Sequence, residues 1–196
     1  MKNKLRVVVP TKWSAITLSK WLKLQEDIEI YKEDENALYD ILFLHLCNLT
    51  PDMVKQIDVD TIEKIKIDIN NFMMSTQCEL QNIIRIKGSR YGFEPNLSKM
   101  SYGAYLDLTS FGSLGIDKNW SKIMSILYRP VKFQKFSGLY EIEEYTGDED
   151  HTIFEEVGMD VHFGALFFFK TIMSQLCDDT LNSLIPKILK PLHNTQ

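Results

Sequence analysis

Ile16-Thr17-Leu18-Ser19-Lys20-Trp21-Leu22-Lys23-Leu24, near the start of the chain, returns in altered form as Met100-Ser101-Tyr102-Gly103-Ala104-Tyr105-Leu106-Asp107-Leu108. Each copy runs apolar, hydroxyl, apolar, then aromatic-Leu-x-Leu, with a proline upstream (Pro10 and Pro95). Each is followed by an apolar helical stretch at similar spacing: Ile41-Leu42 lies 17 residues after Leu24, and Ile126-Leu127 lies 18 after Leu108. A third pair, Ile57-Asp58-Val59 and Met159-Asp160-Val161, precedes apolar helical segments in both halves. Matches in this order point to a tandem duplication, with halves 1–78 and 79–196 in one unit. The competing explanation is that amphipathic helices produce such strings unaided.

The fold class expected is α+β and predominantly helical: two pseudo-repeated halves, short strands, and a β-hairpin insertion over 131–146 in the second half. Leu5 to Val9 is β-branched and ends at Pro10, so it reads as a strand. Ser14 or Thr17 can cap a helix carrying Leu18, Trp21, Leu22 and Leu24; Gln25 to Asn36 reads as an acidic loop. Ala37 to Asn48 is apolar and helical, and Thr50-Pro51-Asp52 is a helix restart. Asp60 and Glu63 have capping-box spacing ahead of Ile62, Ile65, Ile69, Phe72 and Met73, which share one helical face.

In the second half Ile83, Ile84 and Ile86 form a strand ended by Lys87-Gly88, and a loop runs from Tyr91 to Asn96. A helix holds Tyr102 to Leu108, Gly112 and Gly115 break it, and Asp117 caps the next, from about Lys118 to Tyr128, which Pro130 stops. Lys132 to Gln134 and Leu139 to Tyr145, split by Ser137-Gly138, form the hairpin. Thr146 to His151 is a second acidic loop; helices follow from about Asp160 to Cys177 and Leu181 to Leu189.

A net charge of −5, with basic residues scattered, disfavours duplex nucleic acid, whose binding needs banked Lys and Arg. Cys47, Cys78 and Cys177 are odd in number and form no CxxC pair, so neither a disulfide framework nor a zinc ribbon is suggested. The longest apolar run, Gly164 to Phe169, falls far short of the roughly 20 residues that span a bilayer. The apolar stretch Val7 to Pro10 is too short for a signal-peptide core, so a cytoplasmic location is expected.

Of the four histidines, His45, His151, His162 and His193, none has another at i+4, and no HExxH occurs. His45 and Cys47 face different sides of a helix. Asp148-Glu149-Asp150-His151 could collect a cation but lacks EF-hand spacing, so a solvated loop is the simpler reading. Phe111-Gly112-Ser113-Leu114-Gly115 lacks the lysine of a phosphate loop, and no GxSxG is present. No catalytic residue, cofactor or metal ligand is therefore assigned.

At 100° per residue, Val161, Ala165, Phe168, Phe169, Ile172, Met173 and Leu176 share one face of the long helix. Asp160, Gly164, Lys170, Thr171, Ser174 and Gln175 lie opposite, and Phe163 and Phe167 fall with them. Two phenylalanines on a polar side are candidate partner contacts, unless the rest of the protein covers them. Arg129, in Tyr128-Arg129-Pro130, is a third candidate: it could meet a partner's carboxylate or bond the carbonyls ending its own helix.

Tyr91 to Leu97 and Met100 to Leu108, with Ile126 to Pro130, Tyr140 to Gly147 and Met159 to Phe169, resemble small proteins of tailed bacteriophages, crAss-like phages included, thought to act in tail assembly or the virion. The resemblance covers about residues 90 to 176. It implies a non-enzymatic role in morphogenesis with other phage proteins as partners, in the cytoplasm of the infected bacterium or in the virion. It fits a structural or connector component, or a tail assembly chaperone that leaves before the particle is finished. A host-directed enzyme or inhibitor is the alternative of another class.

Overall fold

A computed structural model describes residues 7–75 and 78–169. The fold is α+β and mainly helical, with one four-stranded antiparallel sheet. Helix α1 (Leu18–Tyr31) follows a 3-10 turn at Trp13–Ala15, and α2 (Glu35–Cys47) packs back along it. Next come a single turn, α3 (Pro51–Val54), and then α4 (Val59–Met74). Strands β1 (Ile83–Ile86) and β2 (Ser89–Phe93) lead to α5 (Tyr102–Ser113) and α6 (Ile116–Leu127). β3 (Tyr128–Gln134) and β4 (Tyr140–Ile142) close the sheet. A 3-10 turn at His151–Glu156 precedes α7, helical over 159–169 as far as the description extends.

Both members of the opening pair start helices in the same way. Thr17 accepts a hydrogen bond from the Lys20 N–H, and Ser101 accepts one from the Ala104 N–H. Each leads a helix that packs on its successor, α1 on α2 and α5 on α6. The sheet, by contrast, is drawn wholly from residues 83–142, in the order β1-β2-β3-β4.

Several boundaries differ from the sequence expectations. Residues 7–9 of the expected first strand are in no strand, although Val7 and Val9 pack on the core. The acidic stretch from Gln25 is helical to Tyr31, because Gln and Glu are good helix formers. Asp58 rather than Asp60 caps α4, taking the Thr61 N–H at 2.9 Å. Lys87-Gly88 is a hairpin turn, with φ of 48° and 87°, so Tyr91 to Phe93 continue into β2 instead of a loop. Gly112 is helical, and Leu114 and Gly115 separate α5 from α6, with Gly115 at the N-cap expected of Asp117. Pro130 sits within β3 opposite Tyr91, so α6 passes straight into a strand. The hairpin is thereby an extension of the sheet, bent by a bulge between Val131 and Phe133.

One apolar core runs through the molecule, joining Leu18, Leu24 and Ile69 with Ile123, Leu127 and Phe154. Helix α7 is its centre: Val161, His162, Gly164, Ala165 and Phe169 are all buried. Gly164, expected on a polar face, packs against the backbone of Glu79 and Leu80, ahead of β1. A Cβ there would stand 2.3 Å from the Glu79 carbonyl oxygen. The expected continuation of this helix to Cys177 and the helix at Leu181–Leu189 lie outside the described residues.

Candidate partner-binding surface

Phe163 belongs to an aromatic cluster. Its ring meets Trp13 edge-on at 4.9 Å and Trp21 at 5.6 Å, while Trp13 packs on Phe72 at 4.3 Å. Trp13 is also fixed by its indole N–H, which donates to the Ser75 carbonyl at 2.6 Å. These contacts tie the first 3-10 turn, α1, α4 and α7 together, so Phe163 is half-buried structure rather than a free partner contact. The physical reason is that the first half of the chain covers the side of α7 that its own residues leave polar. Phe167, one turn on, is 47% exposed. Phe168, expected on the same face as Val161 and Ala165, is 37% exposed, its ring edge-on to Phe93 at 5.2 Å.

Arg129 does not face outward. It is buried at the start of β3, and its guanidinium pairs with Glu94, also nearly buried, just past the end of β2. The pair bridges neighbouring strands, since Gly92 and Arg129 are opposite each other in the ladder. Its Nε has no hydrogen-bond partner among the described residues. A buried guanidinium with its own carboxylate has no reach to a partner's, so neither of the two sequence readings describes it.

Several other ionisable groups are engaged in local structure. His162 is fully buried, and its two nitrogens are divided between partners. Trp120 Nε1–H donates to Nδ1 at 2.9 Å, and Nε2–H donates to the Phe154 carbonyl at 3.0 Å. Burial pushes its pKa down to about 4. His45 Nε2–H donates to Asp27 Oδ2 at 2.6 Å, joining α2 to α1. Burial pushes the Cys47 thiol up to about 11, which leaves it un-ionised and unreactive at neutral pH. In the second acidic loop Glu149 accepts the Thr146 and Gly147 N–H groups, and Asp150 caps the 3-10 turn through Thr152. No group of three His, Cys, Asp or Glu able to hold a metal occurs among the described residues.

Among the described residues, two groups of exposed apolar side chains lie close together in sequence. On α5, Tyr102 and Tyr105 stack with centroids 6.4 Å apart, both exposed, with Leu106 beside them in sequence. At the end of the β3–β4 hairpin Phe133, Phe136 and Leu139 are 54%, 114% and 66% exposed. The second patch escaped the sequence reading, yet its signal was present: a short turn built on Ser137-Gly138 cannot cover three large side chains around it. Between α1, α6 and α7 lies a recess walled by Trp21, Leu22, Trp120, Phe163 and Leu166. It opens past Ile28 and the carboxylates of Glu26 and Glu29.

Comparison with family models, with curated proteins and with solved structures finds no match to this chain. No helix among the described residues is long and apolar enough to cross a membrane.

Proposed function

We propose that the protein is a non-enzymatic binder of other polypeptides in the assembly of a tailed bacteriophage, as a structural or connector component of the virion or as a tail assembly protein. The observation that carries the binding role is the hairpin end, where Phe133, Phe136 and Leu139 stand in solvent on strands paired into the sheet. Large apolar side chains cost free energy in water and are kept outside where a partner covers them. The phage setting is supported by the resemblance over about residues 90 to 176.

Affinity capture from phage-infected cells, with the captured proteins identified by mass spectrometry, tests the role. Enrichment of other proteins of the phage is expected; recovery of host proteins or small-molecule turnover contradicts it. Mass spectrometry of purified particles then separates the two versions. The chain is present in stoichiometric amount if it is a structural component and absent if it is a transient chaperone.

A further inference from the structure

β1 is an outer strand of the sheet, and its register with β2 fixes which of its peptide groups face outward. The Phe93 N–H donates to the Asn82 carbonyl at 2.8 Å, and Lys87-Gly88 closes a two-residue turn. Hydrogen-bonded pairs therefore fall at Asn82–Phe93, Ile84–Tyr91 and Ile86–Ser89, in the alternation of an antiparallel ladder. Ile83 and Arg85 then turn their N–H and C=O groups away from β2, and none of these four groups bonds to a described residue. A groove of about 410 Å³ is lined by every residue from Ile83 to Lys87, together with Glu156, Val157 and Gly158. Consecutive strand residues line one groove only where it follows the strand's edge.

The side chains on this edge add an independent observation. Arg85 and Arg90 are directly opposite each other, at a non-hydrogen-bonded pair, where side chains stand closest. Both are exposed, and like charges so placed repel. Arg90 donates to Gln134 Oε1 at 2.6 Å, and neither guanidinium forms an ion pair with a described carboxylate. Lys87 adds a further positive charge along the edge, and Glu156 is the carboxylate that lines the groove.

From these two observations we infer that β1 receives an extended segment of a partner polypeptide as a fifth strand, with an aspartate or glutamate facing Arg85. A polypeptide backbone supplies donors and acceptors at the spacing of Ile83 and Arg85. In that register the residue facing Arg85 projects onto the same side of the sheet, so one carboxylate meets both guanidiniums. A second copy pairing through its own β1 would bring two arginine pairs together, and nucleic acid offers phosphates but no ladder. The contact lies apart from the hairpin end and goes beyond the assembly role above by giving the chemistry of one partner.

The test is an NMR titration of the full-length protein with the end-blocked peptide Thr-Val-Thr-Glu-Thr-Val-Thr and its counterpart with Lys in place of Glu. Each is carried to roughly 5 mM, since a single added strand binds weakly. The glutamate peptide is expected to slow hydrogen exchange at the Ile83 and Arg85 amides and to bind about tenfold more tightly than the lysine peptide. Arg85→Gln keeps the outward N–H and is expected to narrow that preference to less than about threefold. Arg85→Pro removes the outward N–H but no bond to β2, and is expected to abolish binding of both peptides. If Arg85→Pro lowers the melting temperature, the glutamate peptide with alternate amides N-methylated replaces it and is expected not to bind. No binding of the glutamate peptide overturns the inference, as do equal affinities for the two peptides or binding that survives N-methylation. So does an oligothymidylate that binds the wild type and is lost from Arg85→Gln, which assigns the arginines to phosphate. A chain that captures phage proteins but ignores the glutamate peptide overturns this inference and leaves the assembly role standing.

Discussion

His162 has both ring nitrogens committed, one to a donor and one to an acceptor, and that division works only for the neutral ring. Protonation turns Nδ1 into a donor facing the Trp120 N–H. The native pKa of about 4 lies below the unfolded value of 6.5, so the unfolded chain binds the proton first as pH falls. Its contribution is therefore complete above pH 6.5 and is lost progressively as pH drops toward 4. It amounts to roughly 3 kcal/mol from this group. Urea titrations at steps between pH 7 and 4 should show that decline, and a His162→Gln variant should show a flatter one. Equal slopes in the two proteins would remove His162 from the account. The Arg129–Glu94 pair gives a second residue-scale expectation. Glu94→Ala strands a buried guanidinium and should cost about 3–5 kcal/mol, whereas Glu94→Ala with Arg129→Met should recover most of that loss. Neither partner choice was legible in the sequence. Glu94 and Arg129 lie far apart in the chain, and only the β2–β3 register brings them together.

Glycines on the helices separate close approach from open space. Gly164 in α7 would place a Cβ 2.3 Å from the Glu79 carbonyl, whereas Gly112 in α5 meets nothing within 4 Å. Gly164→Ala should destabilise by about 1–3 kcal/mol through a backbone clash. Gly112→Ala should stabilise by about 0.5–1 kcal/mol through helix propensity. Thermal unfolding of the two variants against the wild type checks both signs. On β2 the missing side chain of Gly92 makes room for the Tyr140 ring, whose hydroxyl donates to the Phe93 carbonyl at 2.7 Å. At this scale the sequence was informative where periodicity and capping were strong. α4 and α5 stand where they were read, although Asp58 caps α4 and Gly112 does not end α5, and of Ser14 and Thr17 it is Thr17 that caps α1. It misplaced features fixed from outside the element: the strand character of Tyr91 to Phe93 depends on β3, and the burial of His162, Gly164 and Phe163 depends on chain segments far away in sequence. The acidic stretch after Gln25 was misjudged because charge was weighed above helix propensity.

Across the whole molecule, α7 draws the two halves into one core, and the sheet carries the hairpin away from that core. Phe136 lies at the end of this projection, fully exposed, so Phe136→Ser should leave the melting temperature within about 1 °C of wild type. That neutrality makes it a clean probe of binding. Affinity capture from phage-infected cells, run in parallel with wild type and with Phe136→Ser/Leu139→Ser, therefore puts the central claim to direct test. The quantity measured is the amount of co-purifying phage protein per mole of bait, by mass spectrometry. The account predicts clear enrichment on the wild type and at least a tenfold loss on the variant at unchanged melting temperature. Equal recovery on both baits, or none on either, would contradict it.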